Sequence, residues 1–269
     1  MAIIDTDNAR LIDLEHPRTA SMPEFPTHRP GYAYTLYHRH GDAQDSGVRG
    51  SAFGQLHGTE HTGTHIDALS HQSECMTLHG GVEATADIQT PTGITELGAE
   101  HLPPIFADGI LLDVAGLKGV TALDAHYAVG PNDLQACCDR QGVSVKRGMV
   151  VLVNLGNAHH WGDEQRYLDG PGMTSAASKW AVENGVLAVG ADNIGWDLIG
   201  IWDDELNCNM PGHVLLLVRA GIYIIENLDL RELVASGHSR FVFAALPMKL
   251  VGATGSPIRP VAIVPKQQV

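Results

Sequence analysis

The stretch from His61 to His71 constrains this chain more than any other. It contains His61, His65, Asp67 and His71, so four side chains that can bind a metal fall within eleven residues. Imidazole nitrogens suit Zn, Mn or Fe, and a carboxylate also suits harder ions. Two histidines and one aspartate can hold a divalent ion and leave positions open for water. The motif therefore predicts a metal site that performs chemistry.

The residues around the motif predict a strand followed by a tight connection at 51–60. Alternate residues of a strand share a face, so His61, His65 and Asp67 are expected on one side as metal ligands. Helical spacing would scatter the same three side chains. His71 lies four residues beyond Asp67, where a turn can bring it back as a general base.

Two other interpretations of the motif stay open. The chain has 15 histidines, so chance clustering of core and surface histidines is one alternative. The other is a metal-binding protein without turnover. Structural metals usually have four protein ligands, whereas three adjacent ligands beside a proton carrier are typical of an open site.

Motifs of several other enzyme classes are missing from the sequence. There is no GxSxG element for a serine hydrolase, and Cys75 has no recognisable partner context for a cysteine nucleophile. Neither GxxxxGK[ST] nor GxGxxG occurs, so no phosphate-containing cofactor is indicated.

The charge balance limits the partners of the chain. It has 17 Lys+Arg against 31 Asp+Glu and a formal net charge of −14. Nucleic acids and anionic lipids attract basic surfaces, so a small-molecule partner is expected, with no nucleic acid and no membrane.

The cysteines and the N-terminal residues favour a cytoplasmic location. The four cysteines show no CxxC spacing and are too few for a disulfide scaffold, so we expect reduced thiols. No basic region precedes a continuous apolar run at the N-terminus, and no stretch reaches the ~18 apolar residues of a membrane span.

The length and the apolar periodicity predict one domain over residues 1–269 with strands and helices in mixed order. Strands are expected at 10–15, 110–115, 149–153, 186–190, 221–226 and 240–246, with an edge strand at 260–264. Helices are expected at 130–142, with Asn132 or Asp133 near the cap, at 176–184, capped by Thr174 or Ser175, and at 230–234.

Polar and aromatic residues follow two of the predicted strands. His160 and Trp161 come after the strand at 149–153, and Trp196 comes after the strand at 186–190. Strand ends commonly carry sites, so these residues are candidates to contact a substrate. An exposed loop, or a core position for the tryptophan, is the alternative.

The pattern HxGTHxDxxxH from His61 to His71 resembles the metal-dependent cyclase-like hydrolases. This family includes bacterial kynurenine formamidase, isatin hydrolase and trans-dienelactone hydrolase. The resemblance continues at 171–174, 211–213, 225–228 and 252–260, so it extends from about residue 50 to the end of the chain.

The resemblance implies an α/β fold of the cyclase-like, swivelling β/α/β type, with a β-sheet or barrel-like core flanked by helices. It implies assembly as a homodimer or homotetramer. By motif, His213 and Glu226 complete a second metal site or bind metal-associated water, so one or two divalent ions, Mn²⁺ or Zn²⁺, are expected. The segment after the first strand lies beside the site in this family, which makes Tyr34 a substrate candidate, together with Phe53 at the approach to the motif.

The resemblance also implies hydrolysis of an amide or ester carbonyl without an organic cofactor. Opening of a cyclic amide, isatin to isatinate, is the first expectation. It rests on the extra loops of this chain relative to compact formamidases and on the aromatic residues near the expected pocket. Arylformamidase activity on N-formylkynurenine is the second expectation, and lactone hydrolysis remains a further alternative.

Overall fold

A large mixed sheet organises the fold. The computed structural model describes residues 7–42 and 48–266; residues 1–6, where the absence of a leader was expected, lie outside this range. The strands of the described residues are β1 (Ala9–Asp13), β2 (Ala33–His38), β3 (Phe53–His57), β4 (His65–Asp67), β5 (Gln89–Thr90), β6 (Gly93–Ile94), β7 (Ile105–Asp113), β8 (Ala128–Val129), β9 (Val150–Asn154), β10 (Gly172–Met173), β11 (Ala188–Ala191), β12 (Trp202–Asp203), β13 (Cys208–Asn209), β14 (Tyr223–Glu226), β15 (Arg240–Ala245), β16 (Gly255–Pro257) and β17 (Val261–Pro265).

Nine of these strands form one curled, half-barrel sheet in the order β1, β17, β15, β7, β9, β11, β14, β4, β16. The middle strands β7, β9, β11 and β14 run parallel, and the pairs on either side of them are antiparallel. The remaining strands form two-stranded pairs, of which β2 with β3 is the longest. The predicted α/β class with a sheet core is confirmed.

Short helices connect and flank these strands. The α-helices of the described residues are α1 (Val114–Lys118), α2 (Pro131–Gln141), α3 (Glu164–Leu168), α4 (Ser175–Asn184), α5 (Pro211–His213) and α6 (Arg231–Ala235). A π-helical segment, Val214–Ala220, continues α5, and 3-10 turns occur at Pro26–His28, His79–Gly81, Ala99–His101 and Asn157–His160. None of the helices in the described ranges is long and apolar enough to cross a bilayer.

The predicted ends of α2 and α4 agree with the observed caps. Asp133 accepts a hydrogen bond from the N–H of Gly130 at the start of α2 (3.1 Å). At the start of α4, Thr174 Oγ1 accepts from the N–H of Ala177 (3.2 Å), and Gly185 ends the helix in the left-handed conformation. Side-chain oxygens satisfy N–H groups that the first helical turn leaves free, so these residues fix where each helix begins.

The sheet is buried on both faces, which explains the continuous apolar run of β9. Val151 and Val153 belong to one core cluster, which also contains residues of α2 and α4. Val150 and Leu152 point to the other cluster, which includes Leu233 of α6. Parallel strands with both faces covered lack the alternation of a half-exposed strand.

The edge position expected for residues 260–264 is wrong. The observed strand β17 pairs with β1 on one side and with β15 on the other. Pro260 precedes the strand and Pro265 is its last residue. Neither ring therefore interrupts the hydrogen bonds that the residues between the two prolines make with β1 and β15. The terminal prolines therefore permit an internal strand.

The strand expected at 110–115 begins earlier and ends earlier than predicted. It spans Ile105–Asp113 as β7, and Asp113 Oδ1 then accepts from the N–H of Gly116 (2.9 Å). This cap turns the chain into α1, so Val114 and Ala115 are helical despite their apolar character.

Gly156, which follows β9, provides a test of how its loop packs on the backbone of Thr121. It has a φ of 77°, and an added Cβ would lie 2.1 Å from Thr121 O. Gly148 is a matched control with a φ of 80° and nothing within 4 Å of an added Cβ. We expect Gly148→Ala to cost about 1 kcal/mol for the left-handed backbone. Gly156→Ala should cost about 1–3 kcal/mol more because of the clash. Urea unfolding measures both, and equal losses would contradict the packing described here.

Candidate metal centre

Strand pairing brings the first ligand candidates together. His65 and Asp67 alternate with Ile66 on β4, so they share one face while Ile66 is fully buried in the core. β14 pairs with β4 in the register that places Glu226 opposite His65. The carboxylate of Glu226 therefore reaches the face that carries His65 and Asp67.

His61 lies in a turn before β4 and not on the strand, so the explanation from alternation holds for His65 and Asp67 alone. Gly63 follows it with a φ of 69°, and the turn brings His61 Nδ1 to 2.9 Å from Asp67 Oδ1. Gly255, which pairs with Asp67, leaves room for the ring. A Cβ there would lie 2.6 Å from His61 Cε1.

His213 is the last residue of α5. Asp197 accepts hydrogen bonds from the backbone N–H groups of Gly212 (2.7 Å) and His213 (3.1 Å). It also accepts from His213 Nδ1 (2.7 Å). The same carboxylate thus holds the start of α5 and the orientation of the imidazole.

His71 packs directly against these residues. Its N–H donates to Ala68 O (3.0 Å), so a turn returns the chain after β4. The ring stacks on His61 with 3.9 Å between centroids and lies 6.0 Å from the ring of His213. The structure thus gathers the six predicted metal and catalytic residues, which we call the ligand cluster: His61, His65, Asp67, His71, His213 and Glu226.

The ligand atoms form two groups that share Asp67. One group contains His61, Asp67 and His71, the other contains Asp67, His213 and Glu226, and the atoms of each group lie within 4.8 Å of one another. His65 Nε2 lies between them, 3.5 Å from Asp67 Oδ1 and 3.4 Å from Glu226 Oε2. His71 is therefore placed where it can act either as a ligand or as a base.

Buried atoms without hydrogen bonds mark the centre of the ligand cluster. They are His61 Nδ1, His65 Nε2, both oxygens of Asp67 and Glu226 Oε1. A buried polar atom without a partner is costly, and here nitrogen lone pairs and carboxylate oxygens converge on one space. This donor set fits one or two divalent cations, because a cation satisfies all of these atoms at once.

Three histidines of the cluster each have one ring nitrogen bonded to a partner outside the cluster. His65 Nδ1 donates to Gly63 O (2.7 Å), which leaves Nε2 free to face the cluster. His213 Nδ1 donates to Asp197, so its Nε2 faces Glu226 Oε1 at 3.3 Å. His61 Nε2 is 2.9 Å from Thr254 Oγ1, and its Nδ1 faces Asp67. Second partners of this kind orient metal-binding imidazoles in many proteins.

Burial and close charges shift the pKa values in opposite directions. Burial raises the pKa of Asp67, but the nearby charge of His71 and its histidine neighbours bring it well below its usual range. Burial also raises the pKa of Glu226, and the carboxylate of Asp67 raises it further. Burial lowers the pKa of His213, but the carboxylates of Asp197 and Glu226 beside its ring nitrogens raise it more, to well above its usual range.

His28 is a neighbour of the ligand cluster that the sequence interpretation missed. It lies on the turn Pro26–His28, half-buried, with its ring 5.4 Å from that of His61 and 6.4 Å from that of His71. Its Nδ1 is buried without a hydrogen-bond partner. The proline-rich segment after the first strand was the available signal, but the substrate candidate predicted from that segment was Tyr34 and not His28.

The aromatic candidates Tyr34 and Phe53 lie on the hairpin of β2 and β3. Their exposed fractions are 52% and 56%, and the ring of Phe53 packs on Tyr37 and His38 of the same hairpin. Trp196 is only 1% exposed and donates from Nε1 to Ser178 in the core. Its position matches the alternative of an ordinary core tryptophan.

His160 and Trp161 lie outside the ligand cluster. His160 lines a separate cavity of about 170 Å³ with Arg166. Trp161 stacks on His16 with 4.0 Å between ring centroids and meets Tyr167 edge-on. Tyr167 then donates to the side chain of Asn227, which follows Glu226.

Comparison with known sequences identifies cyclase-like relatives of this chain. The family model described as "Putative cyclase" matches residues 12–198 of this chain. Cyclase-like protein 3 of Oryza sativa subsp. japonica is 25% identical over 206 residues, which is 76% of this chain and 62% of that protein. The chain thus spans less than two thirds of that relative.

Solved structures give the same architecture. A crystal structure of a novel cyclase superposes with a TM-score of 0.84 at 26% identity, covering 94% of this chain and 86% of the other. Isatin hydrolase A from Ralstonia solanacearum superposes with a TM-score of 0.71 at 23% identity, covering 95% and 92%. At this lower identity the likeness describes the fold.

Metal binding should stabilise the protein. We expect the melting temperature to rise when Mn²⁺ or Zn²⁺ is added to chelator-treated protein, by the equivalent of ~2.7 kcal/mol at a hundredfold excess over Kd. Asp67→Asn should remove most of this rise because Asp67 serves both groups of ligand atoms. Asp108→Asn, at an exposed position of β7, should keep it. Thermal denaturation with each metal measures the shift. A wild-type protein that responds to neither metal would contradict the proposed centre.

Proposed function

The chain belongs to the putative cyclase family, and from this premise we propose that it is a metal-dependent hydrolase of amide bonds. The observation that carries the proposal is the ligand cluster, in which buried nitrogen and oxygen atoms converge without protein partners. An open centre of this kind suits catalysis better than structure, because structural metals usually have closed shells of protein ligands.

A divalent ion in this centre would act as a Lewis acid that polarises a carbonyl group and lowers the pKa of water. The chain contributes the orientation. Asp67 is shared by both ligand groups, His61, His65 and His213 are held by their second hydrogen bonds, and Glu226 completes the second group. The two carboxylates, Asp67 and Glu226, would balance the charge of one divalent ion and half the charge of two.

His71 is proposed as the proton carrier of the reaction. It takes a proton from the attacking water as the new C–O bond forms, and gives a proton to the departing nitrogen as the C–N bond breaks. The products are a carboxylate and an amine, held in one molecule when the substrate is a cyclic amide. The His71 side chain is half-buried, and its ring centroid lies 6.4 Å from that of His28.

Isatin is the proposed substrate, opened at its lactam carbonyl to isatinate. The likeness to isatin hydrolase A supports this choice, and so do two rings beside the ligand cluster. They belong to Phe25 and His28, whose ring centroids are 5.4 Å apart and whose planes are tilted by 44°. A planar bicyclic molecule can pack on such rings while its carbonyl faces the cluster.

The first test is turnover of isatin by the metal-loaded protein, followed by absorbance, with N-formylkynurenine as the competing substrate. His71→Ala at matched metal occupancy should lower kcat by ~10² to 10⁴, since general acid–base assistance typically contributes that much. His101→Ala is the control, because the His101 side chain is 63% exposed and belongs to neither ligand group.

The results of this test distinguish the candidate substrates and decide the role of His71. Preference for the formyl compound would replace the lactam with an acyclic formamide as substrate. Cleavage of neither compound would overturn the substrate assignment. Full activity of His71→Ala would remove His71 from the role of proton carrier.

A further inference from the structure

A short hydrogen-bond relay leads from the ligand cluster to a carboxylate outside it. His61 Nε2 lies 2.9 Å from Thr254 Oγ1, just before β16. Thr254 Oγ1 lies 3.1 Å from Glu60 Oε1, which also accepts from the backbone N–H of Thr254 (3.1 Å). Glu60 precedes His61 in the chain, but its carboxylate reaches the imidazole only through the hydroxyl of Thr254.

The chemistry of the three groups fixes the direction of these bonds. An ionised carboxylate only accepts hydrogen bonds, so the hydroxyl of Thr254 must donate to Glu60. The lone pairs of Oγ1 are then free to accept, and His61 Nε2 must carry the proton that it donates. In a neutral His61 the lone pair is then on Nδ1, and this is the atom that lies buried, without a hydrogen bond, 2.9 Å from Asp67 Oδ1.

We propose that Glu60 is a positioning residue that acts through Thr254 to hold His61 in the Nε2-protonated tautomer and thereby strengthens metal binding. The inference rests on the proposed metal centre. With the opposite tautomer, Nδ1 would present a proton to the ion and His61 would be lost as a ligand.

The backbone around Thr254 has anchors besides Glu60, so loss of the Glu60 carboxylate leaves three other bonds to this segment in place. Thr254 O accepts from the N–H of Ala68 (2.9 Å), and Ala253 O accepts from the N–H of Ala99 (2.8 Å). Glu100 accepts from the N–H of Gly252 (3.1 Å). Two carboxylates therefore bind this segment, and of the two only Glu60 continues to a cluster histidine.

Metal affinity measures the relay directly. In the full chain, Kd for Mn²⁺ and for Zn²⁺ is determined by competition with a fluorescent chelator. Thr254→Val removes the hydroxyl but keeps the shape, and we expect a 10- to 100-fold weaker Kd, the usual effect of losing a second partner. Thr254→Ser keeps a hydroxyl and should bind nearly as tightly as the wild type.

Glu60 and Glu100 are a matched pair, because both bind the segment around Thr254. Comparing them distinguishes an effect of the hydrogen-bond relay from an effect of supporting that segment. Glu60→Ala should weaken binding as Thr254→Val does, whereas Glu100→Ala should leave Kd unchanged. Because Glu60 acts through Thr254, the double variant Glu60→Ala/Thr254→Val should bind no more weakly than Thr254→Val alone. Urea unfolding of each variant confirms that the fold is retained.

The tautomer itself is visible by NMR of ¹⁵N-labelled histidine in metal-free protein. His61 should carry its proton on Nε2 in the wild type and lose this preference in Thr254→Val. Wild-type metal affinity in both Glu60→Ala and Thr254→Val would overturn the inference while leaving the metal centre intact. A wild-type protein that binds neither metal would instead overturn the proposed centre.

Discussion

The burial of two carboxylates on neighbouring strands of the sheet is the constraint on which the rest of the site depends. Asp67 is fully buried and Glu226 is 4% exposed, and neither faces a lysine or arginine in the ion pairs of the described residues. A buried polar group without a partner costs about 1–3 kcal/mol, and a charged one costs more. The sheet keeps them there because β4 is bonded on both sides, by β14 and β16.

Around the carboxylates, a single residue can bind parts of the chain that are far apart in sequence. Asn227 follows Glu226 with a φ of 57°, a conformation that asparagine tolerates better than most side chains. Its side chain donates to Gly63 O, and its backbone carbonyl accepts from Thr64 (2.6 Å). The end of β14 is thus bonded to the turn that follows His61. Asn227 therefore supports both the part of the site that carries Glu226 and the part that carries His61.

The sequence predicted the parts of the site that are local. Alternation on one strand explains His65 and Asp67, and the caps of α2 and α4 follow from their own side chains. His61 is placed by a turn, so the period of two could not account for it. His28 and Asp197 lie far from the motif in sequence, and only tertiary packing brings them to it. The internal position of β17 likewise depends on which strands lie beside it, a choice that its own residues do not encode.

The acceptors behind the histidines show how the fold determines the chemistry of the site. His65 donates to a backbone carbonyl, His213 to a carboxylate before α5, and His61 to a hydroxyl before β16. These acceptors belong to three separate segments of the chain, and each leaves the other ring nitrogen directed inwards. A motif peptide alone contains the ligands but lacks Asp197 and Thr254. The ligands are therefore encoded in one short stretch and two strand ends, whereas their tautomers are encoded by the assembled sheet.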